Sequence, residues 1–194
     1  MTTDTSPVLR IALIVGSVRS PRMADPLTAW LRAELAGLAW LELDVIDLAT
    51  VRLPLEQLGP GGGPDSPIAD RLAEADGFLV LTPEYNHSFP AALKNAIDWH
   101  FAEWARKPVA FVGYGAGSGG IRAVEQLRAV FPEVRATTIR EAVLLPMPWE
   151  RLGAGGGFEP AAGTRDALLA MMDELRWWAE SLRAGRARDA MGVG

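Results

Sequence analysis

Apolar and polar positions alternate along this chain with two periods. Val8 to Val15 is apolar at every position except Arg10, the pattern of a strand covered on both faces. The polar turn Gly16-Ser17-Val18-Arg19-Ser20-Pro21-Arg22 follows. Leu27, Trp30, Leu31, Leu35 and Leu38 then recur at helical spacing, with Arg32 and Glu34 on the solvent side. Leu41 to Ile46 alternates Leu41, Leu43 and Val45 with Glu42 and Asp44, so it reads as a strand with one more exposed face. Gly59-Pro60-Gly61-Gly62-Gly63-Pro64 reads as a flexible surface loop. A short helix from Ser66 to Ala75 leads to the apolar run Phe78 to Leu81, which stops at Thr82-Pro83 and the polar loop Glu84 to Ser88. Pro90 suits the first turn of a helix, where its missing N–H is no loss. Leu93, Ile97, Phe101 and Trp104 extend that helix as a stripe to Lys107-Pro108. Val109 to Val112 is a fourth strand, followed by the glycine-rich Gly113 to Gly120 and a helix with Ile121, Val124, Leu127 and Val130 inward. Val134 to Ile139 reads as a fifth, edge strand. Glu141 to Gly163 shows no period and reads as a long loop, an element that in a compact domain is functional or interfacial. Thr164 is placed to cap a last helix carrying Leu168, Met172, Leu175 and Leu182, and residues 1–7 and 186–194 are expected to be flexible.

Strands alternating with helices imply an α/β domain, a parallel sheet with helices on both faces, in three layers. Right-handed crossovers restrict its topology, and five strands fit the order 2-1-3-4-5 of flavodoxin-like sheets better than a six-stranded dinucleotide fold. The chain is expected to be one domain over 1–194. In that order the switch point lies between the first and third strands. The loops Gly16–Arg22, Thr82–Ser88 and Gly113–Gly120 then converge on one crevice, where such sheets bind ligands.

Composition narrows the chemistry. A hydrophobic fraction of 49% supports a full core, and a net charge of −5 argues against nucleic acid as a general partner. Zero cysteines exclude disulfides, thiolate ligands and thiol catalysis, and fit a reducing compartment. Apolar runs are only strand-length, so no membrane segment is expected. The polar start at Met1 to Pro7 lacks a signal core. A cytoplasmic protein is the expectation.

Gly16-Ser17-x-Arg19 lies between a strand and a helix N-terminus, where amides, a hydroxyl and a guanidinium can face one phosphate. The same four residues serve equally as an ordinary turn with a surface arginine. Neither a Gly-Lys-Ser/Thr ending nor Gly-x-Gly-x-x-Gly is present, which points to a mononucleotide rather than to ATP or a dinucleotide. Tyr85 can stack on a planar ligand and Asn86 can read a ring edge. Glu84 is a carboxylate without a second acid at a useful spacing, and His87 and Ser88 read as parts of a rigid turn. Gly113–Gly120 offers backbone amides at a second helix start. His87 and His100, the two histidines, show no metal-ligand pattern. Ser118 sits in Gly-Ser-Gly-Gly rather than a Gly-x-Ser-x-Gly elbow. Asp98 reads as a structural or interface partner, and the helical tryptophans as core or subunit contacts.

With these motifs the chain resembles the NADPH-dependent FMN reductase family of flavodoxin-like proteins, which includes quinone, azo-dye and chromate reductases. The resemblance runs from Val8 to about Arg140. It rests on Gly16-Ser17-Val18-Arg19, on Thr82-Pro83-Glu84-Tyr85-Asn86-x-Ser88-x-Pro90-x-x-Leu93-Lys94-Asn95-Ala96-Ile97-Asp98-Trp99, and on Gly113-Tyr114-Gly115-x-x-x-Gly119-Gly120-x-Arg122-Ala123. It implies an FMN cofactor, with Ser17 and Arg19 on the phosphate and the backbone of Met23 and Ala24 completing that cradle. Pro83, Glu84, Tyr85 and Asn86 would wrap the isoalloxazine, and Tyr114, Gly115 and Ser118 would approach its pyrimidine side. It implies hydride transfer from NADPH or NADH to FMN and on to a small-molecule acceptor such as a quinone, free flavin or azo compound, in a homodimer or homotetramer. No side chain is expected to act as a catalytic acid or base. Three departures stand out: Arg22 and Ala24 occupy positions where many relatives have Ser and Asn, and Gly113 stands where the third motif often begins with a small polar residue. The competing expectation is a non-enzymatic flavodoxin-like electron carrier or redox-sensing FMN protein.

Overall fold

The structure, a computed structural model, describes residues 8–56 and 66–190. The expected flexible segment 1–7, the loop 59–64 and the end of the tail, 191–194, lie outside these residues. Elements follow the two periods of the sequence: β1 (Leu9–Val15), α1 (Ala24–Leu35), β2 (Leu41–Asp47), α2 (Ala69–Glu74), β3 (Gly77–Pro83), α3 (Ala91–Asp98), β4 (Pro108–Gly115), α4 (Ile121–Val130), β5 (Thr137–Pro146) and α5 (Thr164–Ala190). Among the described residues the strands form one parallel sheet in the order β2-β1-β3-β4-β5. The switch point lies between β1 and β3, as the alternation predicts.

Two apolar layers hold the sheet. On one face Leu13, Val15, Leu81 and Val112 pack with Leu27 and Leu31 of α1 and Met172 and Leu175 of α5. On the other, Ile14, Phe78, Val80 and Phe111 pack with Leu93 and Ile97 of α3 and Val124 and Leu127 of α4. Each such side chain contributes roughly 1.5–3 kcal/mol when buried. β1, β3 and β4 are buried along almost their whole length, because helices cover them on both sides. No helix among the described residues is long and apolar enough to cross a membrane.

Three elements differ from the sequence expectation. α3 ends at Asp98 instead of running on to Lys107. The His100 ring Nδ1 donates to the Ala96 carbonyl at 2.7 Å, and the Trp104 indole N–H donates to the Ile97 carbonyl at 3.2 Å. Side chains thus take the acceptors that a continuing helix would need. Trp104 is buried outside the helix, edge-on to Phe78 and Phe131, while Phe101 is exposed. β5 runs through Pro146, well into the segment expected as a loop. Its register against β4 jumps between Val109↔Thr138 and Phe111↔Ala142. Ile139, Arg140 and Glu141 form the bulge, so the polar pair that ends the apolar pattern is an insertion, not the end of the strand. α5 continues to Ala190, beyond the Gly185 where the pattern ends. Arg186 there bonds the Arg106 carbonyl at 2.7 Å, and Arg183 and Arg186 both reach Asp76. Thr164 is the first residue of α5 and not a cap before it; the Ala167 amide bonds the Gly163 carbonyl at 3.0 Å.

Candidate functional site

The turn after β1 is built around Arg22. Its guanidinium grips both oxygens of Asp47, at the end of β2, donates to the Ser17 carbonyl at 2.7 Å, and holds Asp25 at 2.8 Å. The Asp47 pairing raises the Arg22 pKa further and holds the Asp47 carboxyl below its usual range. Arg22 is therefore a structural clasp. Arg19, by contrast, is exposed and makes no ion pair among the described residues; its guanidinium lies 3.6 Å above the Tyr85 ring. Met23 stands at the N-cap of α1 without a side-chain cap, and Ala24 opens the helix, so the first amides of α1 remain available to an anion.

The loop after β3 folds into a tight reversal. Tyr85 and Ser88 exchange backbone hydrogen bonds at 2.8 and 3.0 Å, while Asn86 and His87 take φ of 51° and 68°. Positive φ at both central residues is the geometry of a type I′ turn, which Asn accommodates readily. Gln126 of α4 braces it, donating to the His87 carbonyl at 2.7 Å and accepting from Ser88 Oγ at 2.6 Å. Tyr85 Oη lies 3.0 Å from Ser17 Oγ, which joins this loop to the β1 turn. Pro83 is buried at the end of β3, in register with Tyr114.

Glu84 points away from the turn tip. Its side chain is 7% exposed and accepts hydrogen bonds from Ser118 Oγ and the Arg122 amide, each at 3.0 Å, and from the Arg122 guanidinium. Burial pushes the Glu84 carboxyl up, but these donors outweigh it and hold it below its usual range. Glu84 is thus an ionised tether for the loop after β4 and the start of α4. A crevice of about 470 Å³ remains between Glu84, Asn86 and His87 on one side and Ala116, Ser118 and Arg122 on the other. Gly115 packs behind Glu84, where a Cβ would press to 3.3 Å from the Glu84 Cβ. Tyr114 is 4% exposed and its hydroxyl makes no hydrogen bond among the described residues. A second cleft of about 460 Å³ lies beyond β5, lined by Leu144, Met147, Arg151, Phe158 and Thr164. Phe158, from the segment after β5, docks edge-on against Trp30 at 5.2 Å.

The shifted groups that titrate below pH 7 share one sign. Arg71 holds Asp44 below its ordinary value of 3.8, Arg22 does the same to Asp47, and Glu84 lies below its ordinary 4.5. Burial lowers His100 below 6.5, where it is neutral between Ala96 and Ser66. Each group binds fewer protons folded than unfolded. Its stabilising contribution is therefore present above the ordinary value and lost as pH falls through the lowered one. The melting temperature is expected to begin falling below about pH 6.5 and to fall more steeply below about 4.5. A thermal-melt series from pH 7 to 3 checks it, and a flat profile would contradict these pairings.

A parallel five-stranded sheet with an anion-competent turn after β1 and a polar crevice between the β3 and β4 loops defines a flavodoxin-like protein. Solved structures agree on the fold. A flavoenzyme NAD(P)H:acceptor oxidoreductase from Paracoccus denitrificans aligns over 91% of this chain and 98% of its own, with TM-score 0.65 and 24% identity. A flavodoxin from the domain Archaea aligns over 90% and 99%, with TM-score 0.56 and 14% identity. The profile of the NADPH-dependent FMN reductase family matches residues 9–150, and the chain belongs to that family. Among curated relatives, a 2-hydroxy-1,4-benzoquinone reductase of Burkholderia sp. is 32% identical over 90% of this chain and 98% of its own. An NAD(P)H-dependent FMN reductase of Nectria sp. is 30% identical over 94% and 92%.

The donor set fits FMN. An uncapped helix start, Arg19 without an ion pair among the described residues and the buried Tyr114 hydroxyl cluster at the β1 turn, a place for a phosphate, and an open crevice lies between the β3 and β4 loops, a place for a ring. Ser17, Arg19, Met23 and Ala24 gather on the first side, and Asn86, Gly115 and Ser118 on the second. Tyr85 bridges the two. The Tyr114 side chain lies by Ser17 under the β1 turn, and the Glu84 carboxylate faces Ser118 and Arg122 at the start of α4. Asp47, Arg122 and Gln126 went unassigned in the sequence. An acid ending β2 beside the unusual Arg22 was the available signal for the first.

Proposed function

We propose that the chain is an NAD(P)H-dependent FMN oxidoreductase delivering reducing equivalents to a quinone, free flavin, azo compound or similar small acceptor. The observation that carries this reading is the convergence of three loops, each built for a different part of FMN, at the switch point of the sheet. FMN, when bound, supplies the two-electron chemistry; the protein supplies binding, orientation and field. Ser17, Arg19 and the amides after Met23 hold the phosphate. The Tyr85–Asn86 turn and the backbone from Gly115 to Ser118 flank the ring, kept in place by Glu84 and Gln126. The crevice is open, which suits an enzyme whose donor and acceptor must reach the same ring in turn. An electron carrier is the weaker reading, because the family is one of reductases.

We also infer a cytoplasmic homodimer or homotetramer. Exposed Leu55 and Phe101 flank the α3 region and support a subunit contact there; light scattering reads the assembly. The activity is tested by mixing the protein anaerobically with FMN and either NADPH or NADH. Bleaching of the bound flavin, reversed by benzoquinone, is expected; FMN that binds but is bleached by neither nucleotide would overturn the reading.

Arg19→Ala is expected to weaken FMN about 10- to 100-fold, the worth of one charge-assisted hydrogen bond. Riboflavin affinity and the melting temperature of the FMN-free protein should not change, since Arg19 is exposed and pairs with no carboxylate among the described residues. Fluorescence titration with both ligands checks it.

A further inference from the structure

The last buried position of β4 on the α1–α5 face carries a polar atom that the core does not need. Ala110, Val112 and Tyr114 follow one another on this face, all buried. Phenylalanine would fill the core at Tyr114 without a hydroxyl, yet Tyr114 Oη is buried and, among the described residues, makes no hydrogen bond. Buried polar groups are almost always hydrogen-bonded, so an orphan demands a reason. Its polar surroundings are Ser17, Tyr85, Arg22 and Asp25, all on the β1 turn, the start of α1 or the loop after β3. The orphan thus stands behind the uncapped N-terminus of α1, on the side of the crevice where an anion would sit.

Ser17 explains what the hydroxyl awaits. Ser17 is 1% exposed, and its Oγ faces Tyr85 Oη at 3.0 Å. A serine hydroxyl has one proton to donate and two lone pairs to accept with. When Ser17 donates to Tyr85 it has no proton left for an anion; when Tyr85 donates to Ser17, the proton is free and one lone pair remains for a second donor. We infer that Tyr114 is a positioning residue of the phosphate site: with an anion at the turn, the Tyr114 and Tyr85 hydroxyls both donate to the two lone pairs of Ser17 Oγ, and the Ser17 proton points to the anion. The chain Tyr114–Ser17–phosphate leaves every donor satisfied. Tyr114 therefore acts through Ser17 on the phosphate and not on the ring, although its place in the third motif suggests the pyrimidine side. This inference rests on the FMN-binding reading.

The test is Tyr114→Phe, titrated with FMN and with riboflavin, which lacks the phosphate, alongside thermal melts of the FMN-free protein. FMN affinity is expected to fall about five- to tenfold, the worth of one neutral hydrogen bond, with riboflavin affinity unchanged. The FMN-free protein should melt at the same or a higher temperature, because an unsatisfied buried hydroxyl has been removed. In a Ser17→Ala background the same change should have no further effect on FMN, since the relay is already cut. Equal weakening of both ligands, no weakening of either, or additive losses in the double variant would overturn the proposal. If the wild type bound neither ligand, the binding reading itself would fall, and this proposal with it.

Discussion

Gly120→Ala lowers the melting temperature by about 10 °C and removes tight FMN binding. Gly120 is the N-cap of α4 and has φ of 92°, a conformation that side chains adopt at a cost. A Cβ there would collide with the Tyr114 amide nitrogen and lie 2.8 Å from the Gly113 carbonyl carbon. Those atoms belong to β4, which is paired with β3 and β5 and cannot yield without breaking the sheet. Backbone strain and the clash together cost roughly 4 kcal/mol, which in a domain of this size is about 10 °C. Relief comes from moving the start of α4, and Glu84 moves with it, because it holds Ser118 and Arg122. Both walls of the ring crevice are then displaced. Scanning fluorimetry with and without FMN reads both effects. Gly117→Ala is the control: nothing lies within 4 Å of a Cβ there, and its melt should match the wild type.

Arg22→Met lowers the melting temperature by about 5 °C and weakens FMN at least tenfold. Its side chain is 13% exposed and that of Asp47 24% exposed, so removing the guanidinium strands a carboxylate largely shielded from water. Breaking a buried pair costs about 3–5 kcal/mol; partial exposure reduces this to roughly 2 kcal/mol, or about 5 °C. The affinity loss has another origin: Arg22 also holds the Ser17 carbonyl, so the turn loses its shape. The two effects separate in the Arg22→Met, Asp47→Asn double variant. Removing the stranded charge should recover part of the melting temperature but none of the affinity. Full recovery of affinity would show that Arg22 does not shape the turn.

Periodicity reads most of this fold because the central strands are covered on both faces and leave unbroken apolar runs. Val8–Val15, Phe78–Leu81 and Val109–Val112 carry that signal, and their order and polar ends place the crevice. It fails where side chains intervene in the backbone. His100 and Trp104 terminate α3 by taking its carbonyls, although Phe101 and Trp104 continue the helical spacing. Arg140 and Glu141 interrupt β5 because they occupy a bulge, a feature of register that a single strand does not reveal. At the site, residue types were legible and directions were not. Glu84 and Tyr114 both lie in motifs that converge on the ligand. Yet Glu84 turns toward Arg122 and Tyr114 toward Ser17, and only the packing of three loops decides that. Arg22 and Arg19 are chemically alike and three residues apart in the turn. Asp47, brought alongside by the β1–β2 pairing, makes one a clasp and leaves the other for an anion.

The central claim is that the three loops bind one FMN, phosphate on the β1 turn and ring between the β3 and β4 loops. A crystal structure of the full chain with FMN tests it most directly. The phosphate is expected against Ser17, Arg19 and the amides that open α1, with the isoalloxazine between the Tyr85–Asn86 turn and Gly115–Ser118. FMN seated elsewhere, for example in the cleft between Met147 and Phe158, would contradict it.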